Sequence, residues 1–194
     1  MSEHGPMRDP LDFYPTPPEG TRALLSVEHF DGPIWEPACG DGAIAKVLSR
    51  AGYQVVATDI ADRGYGEGGV NFLTEITPRA RHIVTNPPFG RGLADLFIRH
   101  ALNLTRETGG SVAMIVDLAS LAHPLRTSRW VRQPPATIYI VDELVFRPGH
   151  RPNALPVQTR FAWCVWKPGH TGRPSLWWLS TARFRTQPQK GRPR

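Results

Sequence analysis

Cysteine is nearly missing from this 194-residue chain: Cys39 and Cys164 are the only two, far apart and in no spacing motif. That excludes a disulfide framework. The seven histidines are scattered and no cluster of His, Cys, Asp and Glu has metal-ligand spacing, so no metal site is expected. Long apolar runs are lacking too. Nothing approaches the roughly 20 residues of a membrane span, so no membrane partner is expected. The opening Met-Ser-Glu-His-Gly-Pro has no apolar signal region, and the expected location is cytoplasmic. No internal repeat and no second core-forming stretch is visible. At 40% hydrophobic and 21% charged residues, the composition is that of one folded domain with a substantial core.

Acid is the other absence, and it is local. Residues 171–194 carry Arg173, Arg183, Arg185, Lys190, Arg192 and Arg194 without one Asp or Glu. Those six match the whole net charge of +6. Trp177, Trp178 and Phe184 lie among them. A basic, aromatic-bearing segment fits contact with a nucleic-acid backbone; a disordered, solubilising tail is the competing reading, above all for residues 187–194. Residues 1–12 read as a disordered start.

The most informative stretch that is present is His82-Ile-Val-Thr-Asn86-Pro87-Pro88-Phe89. A β-branched run reads as a buried strand, and two prolines stop it because neither can donate to a ladder. Asn86, held extended by the following proline, offers an amide oxygen at the strand tip. Pro87 offers a carbonyl and Phe89 a flat ring. The set suits a planar amine: two acceptors for its N–H groups and a face to stack on. In open α/β sheets ligands sit at such carboxyl ends. The competing reading is an ordinary Asn-Pro turn.

A second stretch, Ile34-Trp35-Glu36-Pro37-Ala38-Cys39-Gly40-Asp41-Gly42, runs a short strand into a glycine turn and then a helix bearing Ile44, Ala45, Val47 and Leu48. Glycines let backbone approach a ligand, and a helix N-terminus presents free N–H groups. Ala45 stands where the dinucleotide pattern has its last glycine, a variant that keeps a nicotinamide-binding oxidoreductase in view. Glu36 and Asp41 would repel a pyrophosphate, however, and suit an ammonium or sulfonium. Residues 54–59 form a strand ending in Asp59, where an acid can hold both hydroxyls of a ribose, and residues 70–73 read as a third short strand. Thr16 is expected to cap a helix over residues 18–30, where Ala23, Leu24, Val27 and Phe30 recur at helical spacing.

Taken in order, Tyr14-Pro-Thr-Pro, Glu36-Pro-Ala-Cys-Gly-Asp-Gly, Asp59, Asn71-Phe72-Leu73 and Asn86-Pro-Pro-Phe89 resemble the S-adenosylmethionine-dependent amino-methyltransferases. The likeness is greatest to DNA adenine-N6 methyltransferases of the small type carried by phages and mobile elements, and it covers residues 11–167. The resemblance implies a Rossmann-like class I methyltransferase: an α/β fold with a mostly parallel seven-stranded sheet and a C-terminal antiparallel strand. Residues 13–170 would be the catalytic domain and 171–194 a basic, partly disordered tail. Residues 93–104 read as a helix, 111–117 as a buried strand, and 137–141 with 160–167 as an antiparallel pair.

The resemblance further implies that S-adenosylmethionine is the cofactor. Tyr14, Thr16, Pro17, Pro37, Ala38 and Gly40 would surround its methionine part, with Glu36, Asp41 and Gly42 near its ammonium and ribose. Asp59 and Ile60 would hold the ribose, Asn71 and Phe72 the adenine, and Asn86 would face the methyl group. Asn71 replaces the family's usual acid. Asn86, Pro87, Pro88 and Phe89 would be catalytic, acting by direct in-line transfer to a flipped base. DNA is the expected partner. RNA, a protein glutamine amide, and a silent nucleic-acid-binding protein of the same fold are the alternatives. Arg91, Arg126, Arg129, Trp130, Arg132, Arg147 and Arg151 are the nucleic-acid candidates, with a solvated helix face and an inward-packed Trp130 as the alternative for residues 126–132. The oligomeric state, monomer or dimer, is open.

Overall fold

The computed structural model describes residues 12–185, apart from 151, 152, 154 and 158. The first helix, α1 (Pro18–Leu25), begins where two prolines sit at positions whose N–H groups need no helical partner. It leads through β1 (Ile34–Glu36), α2 (Ala43–Arg50) and β2 (Val55–Ala57) to β3 (His82–Thr85). Then come α3 (Leu93–Thr108), β4 (Val112–Asp117), two short helices α4 (Leu118–Leu121) and α5 (Thr127–Arg132), and strands β5 (Thr137–Val141), β6 (Phe161–Trp166) and β7 (Ser175–Leu179).

All seven strands join one sheet in the order β2-β1-β3-β4-β6-β5-β7. β1 to β4 pair in parallel, β6 runs antiparallel to both β4 and β5, and β7 is parallel to β5. The central strands are buried on both faces: every residue of β3 is buried, and β4 reads as a continuous apolar run up to Asp117. Along β1 and β3 the side chains alternate: Ile34 and Val84 pack with Leu24, Ile44 and Leu48 of α1 and α2, whereas Trp35 and Ile83 pack with Phe97, Ile98 and Ala101 of α3. α3 presents Ala94, Phe97, Ile98, Ala101 and Leu104 to the sheet at helical spacing and ends on Gly109 in the left-handed region, φ 61°. Two fully buried indoles have their N–H groups satisfied, Trp35 by the Thr58 hydroxyl at 2.9 Å and Trp163 by the Gly20 carbonyl at 3.1 Å. Their apolar area is therefore buried without stranding a donor, whose desolvation would cost about 1–3 kcal/mol.

Four expectations are corrected. Residues 70–73 form no strand; Phe72–Thr74 is a 3₁₀ turn, because the Asn71 side chain accepts from the Leu73 N–H at 3.1 Å and bends the chain locally. The first helix stops at Leu25, with the Ser26 hydroxyl donating to the Ala23 carbonyl, although Phe30 beyond it is still core. Thr16 does not cap that helix: Pro17 is its N-cap, with no side-chain bond. Finally, Ser175–Leu179 lies in the stretch read as tail yet completes the sheet as its edge strand, leaving Trp177 and Trp178 exposed. The seven strands are thus reached with β7 in place of residues 70–73. The expected disorder at residues 1–11 and 187–194 falls outside the described residues.

The antiparallel pairing of β5 and β6 is as expected. Successive connections leave β1 towards β2 and β3 towards β4, so the direction of winding reverses between β1 and β3. That reversal opens a crevice at their carboxyl ends.

Candidate active site

A cleft of about 810 Å³, counting its open mouth, fills this crevice. Its walls come from five places. The strap 12–16 supplies Asp12, Phe13, Tyr14 and Thr16; the turn after β1 supplies Glu36, Pro37, Ala38, Cys39, Gly40 and Asp41. Asp59, Ile60 and Arg63 follow β2, Asn71 and Phe72 follow the 60–70 loop, and Asn86, Pro88, Leu93 and Phe97 lie between β3 and α3.

The glycine turn owes its shape to left-handed backbone at Gly40 (φ 55°) and Gly42 (φ 81°). A Cβ at Gly40 would lie 2.5 Å from the Phe13 ring, and one at Gly42 2.4 Å from the Tyr65 ring. The glycines therefore admit two of the chain's own aromatics over the turn. The acids brace it from beneath. Asp59 accepts from the Gly40 N–H at 2.8 Å with one oxygen and from the Ala61 N–H at 2.9 Å with the other. Glu36 accepts from the Ala45 N–H in the first turn of α2 at 2.7 Å. Each carboxylate retains further lone pairs for a ligand's hydroxyl or ammonium groups.

Three carboxylates thus converge on one cleft. Burial, reinforced by the charges of Asp59 and Asp41 and only partly offset by the Ala45 N–H, pushes the Glu36 carboxyl well above the ordinary range. Asp41 Oδ1 is buried without a hydrogen-bond partner. Such an arrangement favours a positively charged occupant. Among the described residues no three His, Cys, Asp or Glu side chains are placed to hold a metal ion together. Burial and the same acids push the Cys39 thiol up to about 12, which keeps it protonated and unfit as a nucleophile.

At the tip of β3 the Asn86 side chain is oriented by one bond. Its amide nitrogen donates to the Tyr14 carbonyl at 3.2 Å. Its Oδ1 is consequently turned away, buried and without a partner. The loop that follows is tied by Asp12 Oδ2, which accepts from the N–H groups of Phe89 at 2.5 Å and Gly90 at 2.7 Å. Pro87 is buried, and the half-buried Phe89 ring packs at a tilt on Phe161, centroids 5.6 Å apart.

The cleft brings together Tyr14, Thr16, Glu36, Pro37, Ala38, Gly40, Asp41, Asp59, Ile60, Asn71, Phe72, Asn86 and Pro88. Pro17, Gly42, Pro87 and Phe89 flank it without forming its wall. Sequence reasoning missed Asp12, placed among disordered residues, and Phe13 as a wall residue. It also missed Arg63, whose guanidinium lies 4.1 Å from the Phe13 ring centre. The Asp-Phe pair directly before Tyr14 was the available signal.

The nucleic-acid candidates divide. Arg126 is ion-paired with Asp95 in the first turn of α3 at 2.6 Å, beside the cleft side of the sheet. Trp130 stacks nearly parallel on Trp166, 6.0 Å away, and Trp166 pairs with Val112, the first residue of β4. Trp130 therefore lies towards the amino-terminal end of the parallel strands, away from the cleft, and is packed inward. Arg132 follows it, bonding Ser128 and lining a separate hollow with Gly109, Gly110 and Lys167. Arg147 is exposed; the side chains of Arg91 and Arg129 and all of Arg151 are outside the described part. No described helix is long and apolar enough to cross a membrane.

No protein-family model matches the sequence, and no curated protein matches it. Solved structures do resemble the fold. The modification subunit of a candidate type I restriction enzyme from Vibrio vulnificus YJ016 matches 97% of this chain with 49% of its own, at 18% identity and a TM-score of 0.60. A candidate RNA methyltransferase from Pyrococcus horikoshii matches 86% of this chain with 93% of its own, at 13% identity and a TM-score of 0.58. The M protein of the type I restriction enzyme EcoKI matches 82% with 45% of its own, at 17% identity and a TM-score of 0.54. The chain spans about half the length of the two restriction-enzyme subunits. The common feature is the α/β methyltransferase fold.

Proposed function

We propose that this chain is an S-adenosylmethionine-dependent methyltransferase acting on the exocyclic amine of adenine in DNA. One observation carries the reading: Asn86 Oδ1 is a buried acceptor with no partner, fixed in that orientation because Tyr14 takes the amide N–H. A stranded acceptor beside a cleft of that size fits a donor delivered by substrate.

The residues of the cleft fit the cofactor. Its sulfonium and ammonium match the Glu36, Asp41 and Asp59 cluster, its ribose hydroxyls the spare lone pairs of Asp59, and its adenine the space beside Ile60, Asn71 and Phe72. When bound, it supplies an electrophilic methyl group. The chain's own work is done on the amine. Adenine's exocyclic nitrogen is a poor nucleophile because its lone pair is delocalised into the ring. Asn86 Oδ1 and the Pro87 carbonyl accept its two hydrogens, favour a pyramidal nitrogen and aim the lone pair along one line. Those bonds strengthen as positive charge develops on nitrogen, so the contribution is orientation plus electrostatics. No covalent enzyme intermediate is needed, in keeping with the protonated Cys39 thiol. The base must leave the duplex to reach a strand tip, and Phe89 offers the exposed part of its ring for stacking.

The restriction-enzyme and RNA-methyltransferase likenesses support nucleic acid as the substrate class, and the order of motifs favours DNA. The test is methyl transfer from labelled cofactor into DNA, RNA and protein in parallel, with the DNA digested and its N6-methyladenine measured by mass spectrometry. Asn86→Ala is expected to lower the rate about 100-fold or more. Label only in RNA or protein refutes the DNA reading, and an unchanged Asn86→Ala rate removes Asn86 from the chemistry.

A further inference from the structure

Asp12 holds a left-handed backbone conformation, φ 57°, that few residues other than glycine adopt. A short acidic side chain tolerates it when it gains a bond. Here the bonds reach across the cleft. One carboxylate oxygen accepts from two consecutive backbone N–H groups, Phe89 and Gly90, the first that follow the double proline. Two residues further along the same strap, the Tyr14 carbonyl accepts from the Asn86 amide. A three-residue piece of chain therefore grips the Asn-Pro-Pro-Phe loop at both ends.

The prolines make that grip matter. Their rings lock φ at 87 and 88, so the loop between the two anchors has little left to rotate. Pinning the Phe89 N–H sets the plane of the Pro88–Phe89 peptide. Through the Pro88 ring it also restricts the carbonyl of Pro87, and pinning Gly90 sets the backbone that carries the Phe89 ring. The backbone N–H groups that Asp12 holds, those of Phe89 and Gly90, lie away from the amine itself.

We propose that Asp12 is a positioning residue: its carboxylate sets the Pro87 acceptor and the Phe89 ring, completing the alignment that Tyr14 gives Asn86. The kinetic part of this proposal rests on the amine-methylation reading above. Asp12, Phe13, Tyr14 and Thr16 also form cleft wall, so a molecule seated in the cleft rests on the same strap that holds the loop.

Two measurements on the full chain decide it. The first is amide hydrogen exchange. Asp12→Ala should speed exchange at Phe89 and Gly90 about tenfold or more, the scale of a charge-assisted hydrogen bond, with the β4 amides unchanged. Asp12→Asn should retain most of the protection, because one amide oxygen still accepts both bonds. Unchanged protection in Asp12→Ala overturns the proposal whatever the chain's substrate. The second is kinetic. Asp12→Ala should lower kcat about 10- to 100-fold while KM for S-adenosylmethionine stays within about twofold, and Asp12→Asn should restore kcat. A raised KM with intact kcat would make Asp12 a cofactor-binding residue and overturn the positioning role. Should the wild-type protein transfer no methyl group to any substrate, the functional reading fails while the exchange measurement still decides on Asp12.

Discussion

Binding of the cofactor should release a proton, and Glu36 should be its source. The carboxyl stands at the end of β1, 2% exposed, and burial with the charges of Asp59 and Asp41 holds it well above the ordinary value of 4.5. The sign follows from that direction. Between the ordinary value and the raised one, folded protein keeps a proton that unfolded chain has lost. Stability of the ligand-free protein therefore falls as pH climbs through that interval. A sulfonium seated beside the carboxylates draws the Glu36 value back down, so in the same interval binding expels one proton. Affinity for S-adenosylmethionine should then rise with pH at a limiting tenfold per unit, about 1.4 kcal/mol, and level off once pH passes the raised value. Calorimetry in two buffers of different protonation heat counts the proton directly. Glu36→Gln keeps an acceptor for the Ala45 N–H and should abolish the slope; the product S-adenosylhomocysteine, lacking the sulfonium charge, should show a shallower one. No proton released, or a full slope persisting in Glu36→Gln, refutes the electrostatic account of the cleft.

Gly110→Ala should be strongly destabilising, because a Cβ there would sit 1.7 Å from the Arg81 carbonyl oxygen, with backbone on both sides of the contact. A loss of about 1–3 kcal/mol or more is expected from urea unfolding, and an unchanged midpoint would contradict the packing at the end of α3. Cys39 and Cys164 are buried and free, with Cys39 raised to about 12 and Cys164 pushed up by burial alone. Both should resist alkylation at mildly alkaline pH until denaturant is added, and rapid labelling of the native protein would refute that burial.

What was legible in the sequence is what depends on local chemistry. β3 ends at Thr85, with Asn86 just beyond it, because prolines follow, and the glycine turn after β1 has its positive φ at Gly40 and Gly42; both lie within a few residues of their signals. Strand tips that carry the cleft were therefore readable in order. Long-range partners were not. Nothing near Asp12 announces that its carboxylate meets Phe89 and Gly90, or that Phe13 seats on a glycine 27 positions later. Trp130 among its arginines could be read as a surface aromatic or as packed inward, and only the antiparallel course of β6, which brings Trp166 beneath it, decides for the second. The tail was misread for a related reason. Composition there is basic and polar, yet Ser-Leu-Trp-Trp-Leu is a strand by its side chains, and the open edge of β5 completes it. At residues 70–73 the reverse happened, when the Asn71 side chain won the backbone from an apolar run.

That edge strand gives the molecule an optical address. Trp35 and Trp163 are sealed in the two layers of the core, while Trp177 and Trp178 stand 60% and 78% exposed on β7. Indoles in water emit at longer wavelength and meet dissolved quenchers; sealed ones do neither. Iodide should therefore silence the rim of the sheet and leave its centre lit. Opening of the core would then show as newly quenchable, red-shifted emission from the two sealed indoles, so one fluorimeter trace separates the rim of the sheet from the collapse of its centre.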